Sequence, residues 1–384
     1  MRTYDVAIIG GGIIGCSIAF ELSSHGFRVI VVDRQEPALE ASWAAAGMLS
    51  PAPDSPRDAP LVPFARESLR LYPQFVQAIE EKSGKSTAYT RHGALEVFLS
   101  AGAERRCADR LRELSQVGIP AEPLLCDAAR KLEPAIGAST GAALRIPGEA
   151  TVEPRVLMDA LATAVRNSGA EIRSNCAATG IIRDGPRCAG VLAGGETISA
   201  GHVVLAAGCF SGQITNEPWL ARIAPVRPVR GQMLALRPAA DGRLRQVVRS
   251  DSGYLVPRSD GRIVAGSTLE EAGFEKRVTA AGLRKILDAS LETCPALASA
   301  EVVETWSGLR PGTPDDLPVL GSTSAIGLEG LWIATGHYRN GILLAAATAK
   351  LFREWITGAE PSFDARRFSP ARFALPEAGA KSAD

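Results

Sequence analysis

The sequence has no excess of charge of either sign. Its 384 residues include 42 Lys and Arg against 42 Asp and Glu, which gives a formal net charge of zero. A protein that binds along nucleic-acid phosphates needs a basic surface, and a disordered solvating chain carries a strong net charge. We therefore expect no nucleic-acid partner and no extended disorder. The hydrophobic fraction of 46% is typical of a globular protein.

Cysteine and histidine are few and have no metal-binding pattern. The seven cysteines contain no C-x-x-C pair, and no two of the four histidines stand four residues apart. Zinc sites and disulfide frameworks rest on such spacings. We expect no metal ion, reduced thiols and a cytoplasmic location.

A run long enough to span a membrane is also missing from the N-terminal region. The uncharged stretch Val6–Phe20 has 15 residues and is interrupted by three consecutive glycines, whereas a span needs about 20 apolar residues. The residues before it carry Arg2 against Asp5, a poor match to the positive start of a signal peptide. We interpret the stretch as a first strand and helix, and we expect no membrane span.

The first 33 residues have the pattern of a dinucleotide-binding βαβ unit. A short apolar strand leads into Gly10-x-Gly12-x-x-Gly15, a helix follows, and a second apolar strand ends at Asp33. Gly10 allows a tight turn, Gly12 lets a pyrophosphate approach, and Gly15 lets the helix pack on the strand. The helix N-terminus attracts phosphates, and the Asp33 carboxylate can accept hydrogen bonds from ribose hydroxyls. The complete unit predicts a dinucleotide site, although the glycine motif alone would be weak evidence.

FAD and NAD both bind to such a unit. The motif occurs once, close to the N-terminus, whereas an enzyme that passes electrons from NAD to a flavin would need a second one. A later apolar strand, His202–Ala206, runs into Ala207-Gly208 and is expected to lie beside the first strand. Both features favour FAD.

The order of the elements predicts an α/β fold with a discontinuous nucleotide domain. Strands are expected at 4–9, 28–32, 93–99, 171–175, 180–183, 188–193, 202–206, within 226–267, and at 301–309 and 331–335. Helices are expected at 13–24, 64–83, 101–117, 154–168, 279–293 and 340–357, and five prolines predict an irregular segment at 50–63. We assign a Rossmann-like FAD-binding domain to 1–83, 150–220 and 320–365, a mostly antiparallel β-sheet substrate-binding domain to 84–149 and 221–319, and a C-terminal tail to 366–384.

Three further motifs carry a family resemblance. They are Ala44-Ala-Ala-Gly-Met-Leu-Ser-Pro51, Trp306-Ser-Gly-Leu-Arg-Pro-Gly-Thr-Pro314 and Gly336-His-Tyr-Arg-Asn-Gly-Ile-Leu-Leu344. With them the sequence, from residue 4 to about residue 357, resembles the FAD-dependent glycine oxidases of thiamine biosynthesis in the D-amino-acid oxidase family. The resemblance implies the FAD fold shared by D-amino-acid oxidase and glutathione reductase.

The resemblance also implies which residues form the site. Met48, Tyr254, Arg310 and Arg339 would contact the substrate. FAD, bound non-covalently because no cysteine lies in these motifs, would contact Gly10, Gly12, Ile13, Ile14, Gly15, Asp33, Arg34, Ala41, Ser42, Ala46, Gly47, Met48, Ala177, Gly208, His337, Tyr338, Arg339, Asn340, Gly341, Ile342 and Leu343. Two positions depart from the family pattern: Trp43 replaces a small residue, which could repack the loop near the pyrophosphate, and Ala346 replaces a proline.

The residue types suit an amino-acid oxidase. Arg310 ends an apolar strand, and its planar guanidinium can orient a carboxylate through two hydrogen bonds, with the Tyr254 hydroxyl as a further donor. Asn340 and Gly341 would direct the positive end of the last helix at the flavin. Structural alternatives remain at this point: a surface arginine at a strand end, a half-buried strand tyrosine, and an N-cap for Asn340. His337 could be a base, but packing against the flavin is the better interpretation.

The resemblance, with these residue types, implies oxidative deamination of glycine, and of sarcosine or small D-amino acids, by hydride transfer from Cα to flavin N5. The products would be glyoxylate, ammonia and hydrogen peroxide, with the imine serving thiazole synthesis. The partners would be the substrate, dioxygen and, functionally, thiazole synthase, in a homo-oligomer that is often a tetramer in relatives. One alternative is a D-amino-acid or sarcosine dehydrogenase that reduces a membrane quinone, and another is a non-catalytic dinucleotide-binding regulator.

Overall fold

The computed structural model describes residues 3–53, 55–214 and 217–374. These residues form nine α-helices: α1 (Ile13–Ser24), α2 (Ala41–Ala44), α3 (Val62–Ser83), α4 (Ala103–Gln116), α5 (Cys126–Leu132), α6 (Pro154–Asn167), α7 (Leu220–Ile223), α8 (Ala280–Thr293) and α9 (Gly341–Thr357). Short 3-10 helices lie at Pro56–Leu61, Gly208–Gln213, Ala240–Gly242, Pro295–Ser299, Ser324–Ile326, Arg366–Phe368 and Pro370–Phe373. None of the helices in this part of the chain is both long and apolar enough to cross a bilayer.

The strands of the first half are β1 (Thr3–Ile9), β2 (Val29–Val32), β3 (Met48–Leu49), β4 (Ala94–Leu99), β5 (Glu122–Leu124), β6 (Thr140–Ile146), β7 (Ala150–Thr151), β8 (Glu171–Arg173) and β9 (Ala178–Asp184). Those of the second half are β10 (Arg187–Ala193), β11 (Glu196–Leu205), β12 (Arg227–Arg237), β13 (Val247–Ser250), β14 (Gly253–Pro257), β15 (Ile263–Gly266), β16 (Glu301–Gly312), β17 (Val319–Ser322) and β18 (Leu331–Thr335).

The first large sheet carries the dinucleotide loop. Its order is β17-β18-β11-β1-β2-β8, with the hairpin β9–β10 attached to β11. Strands β18, β11, β1, β2 and β8 are parallel to one another, whereas β17 and β10 pair antiparallel with β18 and β11. As predicted, β11 lies directly beside β1, with Ile9 opposite Leu205. The carboxyl ends of β1, β2 and β11 therefore meet at one edge of the sheet, where nucleotides bind in such folds.

Both faces of this sheet are covered, because side chains alternate between them along each strand. Val6 and Ile8 of β1 face helices α1, α3, α6 and α9. Ala7 and Ile9 face the other way, toward the hairpin β9–β10 and α7. Burial on both sides explains why β1 and β2 appear in the sequence as continuous apolar runs.

The second large sheet has the order β16-β12-β15-β14-β13-β4-β6-β5. All its pairs are antiparallel except β13–β4. One face packs on α8 and α5. The other face presents Met233, Val256 and Trp306 to the segment that contains Ala44 and Ala46. The predicted fold class is confirmed, while the assignment of residue ranges to two domains stays a prediction.

Several details differ from the predicted elements. The segment 50–63 is not wholly irregular: a 3-10 helix occupies Pro56–Leu61, and α3 begins at Val62. Pro63 fits there because the first turn of a helix needs no N–H at that position. Of the predicted tail, 375–384 lies outside the described residues, whereas Phe368 is buried against Phe64.

Candidate active site

A cavity of about 940 Å³ is lined by residues of both large sheets. This volume lies within the range of cofactor and ligand sites, about 300–1,000 Å³. Its walls come from the turn after β1, the segment from α2 to Ser50, the carboxyl end of β11, one face of the second sheet, and the turn before α9. The predicted site residues converge here from five separate parts of the chain.

The turn after β1 is as tight as the glycine pattern requires. Gly10 has a φ of 108°, and a Cβ there would lie 2.5 Å from the Ala206 carbonyl oxygen. A Cβ on Gly15 would lie 1.9 Å from the carbonyl oxygen of Gly10, so only glycine lets α1 pack this closely on the turn. Gly15 itself does not line the cavity.

Asp33 stands at the end of β2, where it faces both the turn and the cavity. Its carboxylate accepts hydrogen bonds from the backbone N–H of Gly11 (2.6 Å) and of Gln35 (3.0 Å). Burial raises the pKa of Asp33, and the two backbone donors oppose this rise. Each carboxylate oxygen keeps acceptor capacity for a hydroxyl in the cavity.

The N-terminus of α1 opens onto the same region. The first-turn N–H groups of a helix have no intrahelical acceptor. The Ile13 N–H donates to Ser42 Oγ (2.9 Å), and the Cys16 N–H donates to the Gly12 carbonyl (2.9 Å). Among the described residues no acceptor is found for the N–H groups of Gly12 and Ile14, and both residues line the cavity. This is the arrangement that binds phosphate at a helix N-terminus.

An arginine and an aromatic ring border the Asp33 end. The Arg34 guanidinium lies over the Phe210 ring, with its carbon 3.6 Å from the ring centroid, and forms an ion pair with Glu40 at 2.6 Å. Phe210 lines the cavity in the 3-10 helix that follows Gly208. Phe210 is not among the predicted site residues. Its position two residues after Gly208 could have indicated an aromatic contact to the nucleotide.

Arg310 lies on β16, and its guanidinium reaches the cavity from the second sheet. It donates to Ser267 Oγ (2.7 Å) and to the Thr268 carbonyl (3.3 Å). Burial lowers the pKa of Arg310, and the neighbouring Tyr254 hydroxyl opposes this effect. No carboxylate among the described residues forms an ion pair with Arg310. A buried guanidinium without an acid partner has the charge and free donors to suit an anion, because burying an unpaired charge is otherwise costly.

Gly231 makes room for that guanidinium. It pairs with Gly308 across β12 and β16, two residues from Arg310. A Cβ on Gly231 would lie 2.1 Å from Arg310 Nη1 and 2.4 Å from its Cζ. The sequence analysis missed Gly231, because a glycine within a strand shows its purpose only when the facing side chain is known.

Tyr254, Met48 and Met233 line the part of the cavity near Arg310. Tyr254 lies on β14, and its hydroxyl is 3.8 Å from Met233 Sδ. Met48 lies on β3 and packs in the same apolar cluster as Tyr254 and Met233. The predicted residues Met48, Tyr254, Arg310 and Arg339 therefore line one cavity.

The turn before α9 borders the cavity beside the end of β16, near Arg310. Tyr338 has a φ of 47°, rare for a residue with a side chain, and its N–H donates to the Pro311 carbonyl (3.1 Å). His337 is buried, its Nε2 lies 3.3 Å from Thr348 Oγ1, and burial lowers its pKa to about 3. Asn340 occupies the N-cap position of α9, but its side chain makes no capping hydrogen bond.

Two predicted cofactor contacts do not line the cavity. Gly15 faces the Gly10 carbonyl, as described above, and Leu343 is the third residue of α9. Within this first turn Gly341 and Ile342 line the cavity, whereas the Leu343 side chain is buried in the core of the first sheet. The other predicted contacts line it: Gly10, Gly12, Ile13, Ile14, Asp33, Arg34, Ala41, Ser42, Ala46, Gly47, Met48, Ala177, Gly208, His337, Tyr338, Arg339, Asn340, Gly341 and Ile342.

The two departures from the family pattern lie outside the cavity. The Trp43 ring packs against Trp306, with 6.3 Å between centroids, and under the Arg155 guanidinium at 3.5 Å. Trp43 therefore contacts the second sheet, and its effect on the loop near the pyrophosphate stays a prediction. Ala346 is buried within α9.

One cysteine lies nearer the site than the motifs indicated. Cys209 follows Gly208 and lines the cavity, although, as predicted from the sequence, no cysteine lies in the motifs themselves. Its thiol is free and buried, and burial raises its pKa to about 12. The sulfur is therefore protonated at neutral pH and is a poor nucleophile.

The cavity has a dinucleotide loop at one end and, at the other, an arginine that pairs with no carboxylate of the described residues. This combination is typical of a nucleotide-dependent enzyme that acts on an anionic substrate. The chain matches the family model described as DAO, FAD dependent oxidoreductase, over residues 5–355. It belongs to this family of FAD-dependent oxidoreductases.

Named relatives and a solved structure agree with this assignment. The chain is 35% identical over 369 residues to the glycine oxidase of Pseudomonas putida KT2440, covering 95% of this chain and 98% of that protein. The crystal structure of glycine oxidase from Geobacillus kaustophilus matches with a TM-score of 0.90, 31% identity, and 97% and 99% of the two chains covered. The bifunctional protein ThiO/ThiG of Trichormus variabilis is 34% identical, and the match covers 92% of this chain but 53% of that protein.

The cavity fits the cofactor of the family. The unpartnered N–H groups of Gly12 and Ile14 suit a pyrophosphate, and the Asp33 carboxylate suits a ribose. The cradle after β1 has no room for a side chain at Gly10. The distance from this turn to Arg310 is spanned by one continuous cavity, as a cofactor that must meet a substrate requires.

Proposed function

We propose that this protein oxidises glycine with FAD as its cofactor. The observation that carries the proposal is the buried Arg310 guanidinium, which has no acid partner among the described residues and faces the same cavity as the dinucleotide loop. Three relatives named glycine oxidase are 33–35% identical to this chain over nearly its whole length. Their names support glycine as the substrate.

Arg310 and Tyr254 are proposed to hold the substrate carboxylate. The guanidinium offers a bidentate contact that fixes both the position and the orientation of the carboxylate. The Tyr254 hydroxyl adds a neutral donor beside it, and Arg339 faces the same end of the cavity. One extra methyl group on the substrate changes the free energy of binding by only about 1–3 kcal/mol. Sarcosine and small D-amino acids are therefore proposed as further substrates.

The remaining contacts are proposed to hold FAD. Gly12, Ile14 and Asp33 would bind the pyrophosphate and ribose, and Arg34 with Phe210 would border the adenosine. When bound, FAD supplies the acceptor for the hydride that leaves Cα of the substrate. Gly341 at the start of α9 would direct N–H groups and the positive end of the helix at that acceptor.

The protein side of the reaction requires no general base in this proposal. His337 is the nearest candidate, but its low pKa of about 3 means that it is neutral, and its Nε2 faces Thr348 rather than the substrate end. A substrate that enters with its amine neutral can lose hydride directly. Orientation by Arg310 and Tyr254 then becomes the main contribution of the chain.

The overall reaction is proposed to be glycine, dioxygen and water giving glyoxylate, ammonia and hydrogen peroxide. The relatives named ThiO/ThiG support a functional link to thiazole synthase, which would use the imine before its hydrolysis. A cytoplasmic location and a homo-oligomeric state stay predictions.

The test is anaerobic addition of glycine to the purified flavin-loaded protein. We expect the visible flavin absorbance to bleach, and admission of air to restore it with release of peroxide in the absence of any dye acceptor. Bleaching without consumption of dioxygen would instead support the quinone-linked dehydrogenase. No bleaching with glycine, sarcosine or D-alanine would overturn the proposal.

The Arg310→Lys variant tests the carboxylate contact. It keeps the charge but loses the planar fork, so KM for glycine should rise about 10- to 100-fold, the equivalent of about 1.5–3 kcal/mol. Arg237→Lys is the matched control, because Arg237 ends β12 far from the cavity and pairs with Glu301 at 3.2 Å. Equal KM values for the two variants would contradict the role of Arg310.

A further inference from the structure

The segment Ala46–Ser50, called here the Met48 segment, lines the cavity and is held by little regular structure. Its strand β3 pairs with β7 through Met48–Thr151 and Leu49–Ala150 only. A further bond runs from the Val152 N–H to the Gly47 carbonyl (2.9 Å). Such a short ladder is only marginally stable by itself, so other groups must fix the position of the segment.

Arg258 bridges the two strands of this ladder. Its Nη2 donates to the Ala46 carbonyl (2.8 Å) and its Nη1 to the Val152 carbonyl (3.0 Å), one acceptor from each side. The side chain is only 5% exposed, and its Nε lies 2.9 Å from Glu153 Oε2. A planar fork is required to reach both carbonyls at once, which a lysine cannot do.

The same arginine belongs to the hairpin that carries Tyr254. Arg258 follows β14 directly, and side chains at alternate positions of a strand share a face. Tyr254, Val256 and Arg258 therefore follow one another along one side, and Val256 packs in one cluster with Ala46. The Met48 segment is thus attached to the same rigid element as Tyr254, which with Arg310 on β16 forms the proposed carboxylate clamp.

A second arginine of the hairpin holds the other end of the segment. Arg249 lies on β13 directly opposite Tyr254, and its Nη1 donates to Ser50 Oγ (2.8 Å). Its guanidinium is also paired with the buried Glu149, which accepts from Ser50 as well (2.6 Å). The hairpin β13–β14 therefore grips the segment at Ala46 and at Ser50, with Met48 between them.

We propose that Arg258, assisted by Arg249, is a positioning residue that fixes the Met48 segment relative to Tyr254 and Arg310. This inference rests on the proposed function, since the segment would line the flavin and the clamp would hold the substrate. The hairpin sets the distance between the Met48 segment and the clamp residues Tyr254 and Arg310. Loss of the Arg258 fork lets the segment shift while the clamp stays on its sheet.

The test compares Arg258→Lys with wild-type protein in steady-state and cofactor-binding measurements. We expect kcat per bound flavin to fall about 10- to 100-fold, because a shift of about 1 Å at a reacting centre has that effect. KM for glycine should change little, since Arg310 and Tyr254 stay in place. The Kd of FAD, measured by flavin fluorescence, should rise several-fold.

Two variants separate positioning from general stability. Arg262→Lys is the matched control in the turn between β14 and β15, where Arg262 pairs with Asp260 at 2.6 Å, and it should behave as wild type. Glu153→Gln removes the ion pair of Arg258 but leaves its bonds to both carbonyls, so kcat should stay near the wild-type value. A Glu153→Gln defect as large as that of Arg258→Lys would overturn the inference.

The remaining outcomes are also decisive. An Arg258→Lys protein that melts earlier but keeps kcat and the Kd of FAD would make Arg258 merely structural. If that variant fails to fold, Ser50→Ala decides, because it releases the Arg249 end of the segment: a lowered kcat at constant KM supports the inference and an unchanged kcat contradicts it. If glycine does not reduce the wild-type flavin, the proposed function fails. The Kd of FAD for Arg258→Lys then still tests whether Arg258 fixes the Met48 segment.

Discussion

Gly231 and Arg310 illustrate how much of the site is decided by single residues. The sequence predicts Arg310, because a planar cation after an apolar strand suits a carboxylate. It does not predict Gly231, whose lack of a side chain leaves free the space that the guanidinium needs. An empty position has no chemical signature in a sequence, so its role emerges only from the pairing of β12 with β16.

Gly231→Ala should therefore act as an indirect Arg310 variant. The added methyl group would overlap the guanidinium and displace it, so KM for glycine should rise at least several-fold while the Kd of FAD stays unchanged. Gly148→Ala is the control, because a Cβ there meets no atom within 4 Å. The measurement is steady-state kinetics with FAD titration, and an unchanged KM would show that the guanidinium tolerates the methyl group.

At the scale of elements, the glycine turn and α1 act as one unit. The spacing from Gly10 to Asp33 predicted a dinucleotide site because the glycines, the helix and the terminal carboxylate each meet a separate physical requirement. Such a combination seldom arises by chance. The ladder β3–β7 was not readable, because two-residue strands leave no periodic pattern. Strand β6 was missed too, although it is the antiparallel neighbour of β4.

Gly15→Ala should separate α1 from the turn. A Cβ at 1.9 Å from the Gly10 carbonyl oxygen cannot be accommodated without moving the helix, and overpacking of this kind costs about 1–3 kcal/mol. We expect a lower Tm and a Kd of FAD raised about tenfold or more. Ser17→Ala in the same helix is the control, because the Ser17 hydroxyl is buried without a hydrogen-bond partner in the described structure. A Gly15→Ala protein that binds FAD as wild type does would contradict the close packing.

For the molecule as a whole, burial of ionisable groups makes stability depend on pH. His337 is enclosed between the cavity and α9, and burial lowers its pKa from 6.5 to about 3. The unfolded chain therefore binds a proton between these two values that the folded chain does not. The free energy of unfolding should fall as pH decreases from about 6.5 toward 3 and should not depend on this group above that range.

The His337→Gln variant isolates this contribution. Gln can still bond to Thr348 but does not titrate, so the slope of unfolding free energy against pH should be smaller than in wild type by up to about 1.4 kcal/mol per pH unit. Urea unfolding of both proteins between pH 4 and pH 7 provides the measurement. Parallel curves for the two proteins would mean that His337 is protonated in the folded state.

The sequence predicted the whole-molecule architecture better than its local contacts. The parallel strands with a glycine turn, the antiparallel second sheet and the closing helix were all readable from apolar runs and turns. Phe210, the Arg258 fork and the inward position of Cys209 were not, because each depends on which segments meet across the cavity. The position of Leu343 has the same origin: a motif extends along the chain, whereas neighbouring side chains of one helical turn point in different directions.

The protonated state of Cys209 has a consequence for the durability of the enzyme. Peroxide attacks the thiolate form of cysteine, and a thiol with a pKa of about 12 is almost never ionised at neutral pH. Burial of this one side chain therefore withholds a reactive thiolate from any oxidant that enters the cavity, and so protects the cavity wall from irreversible oxidation.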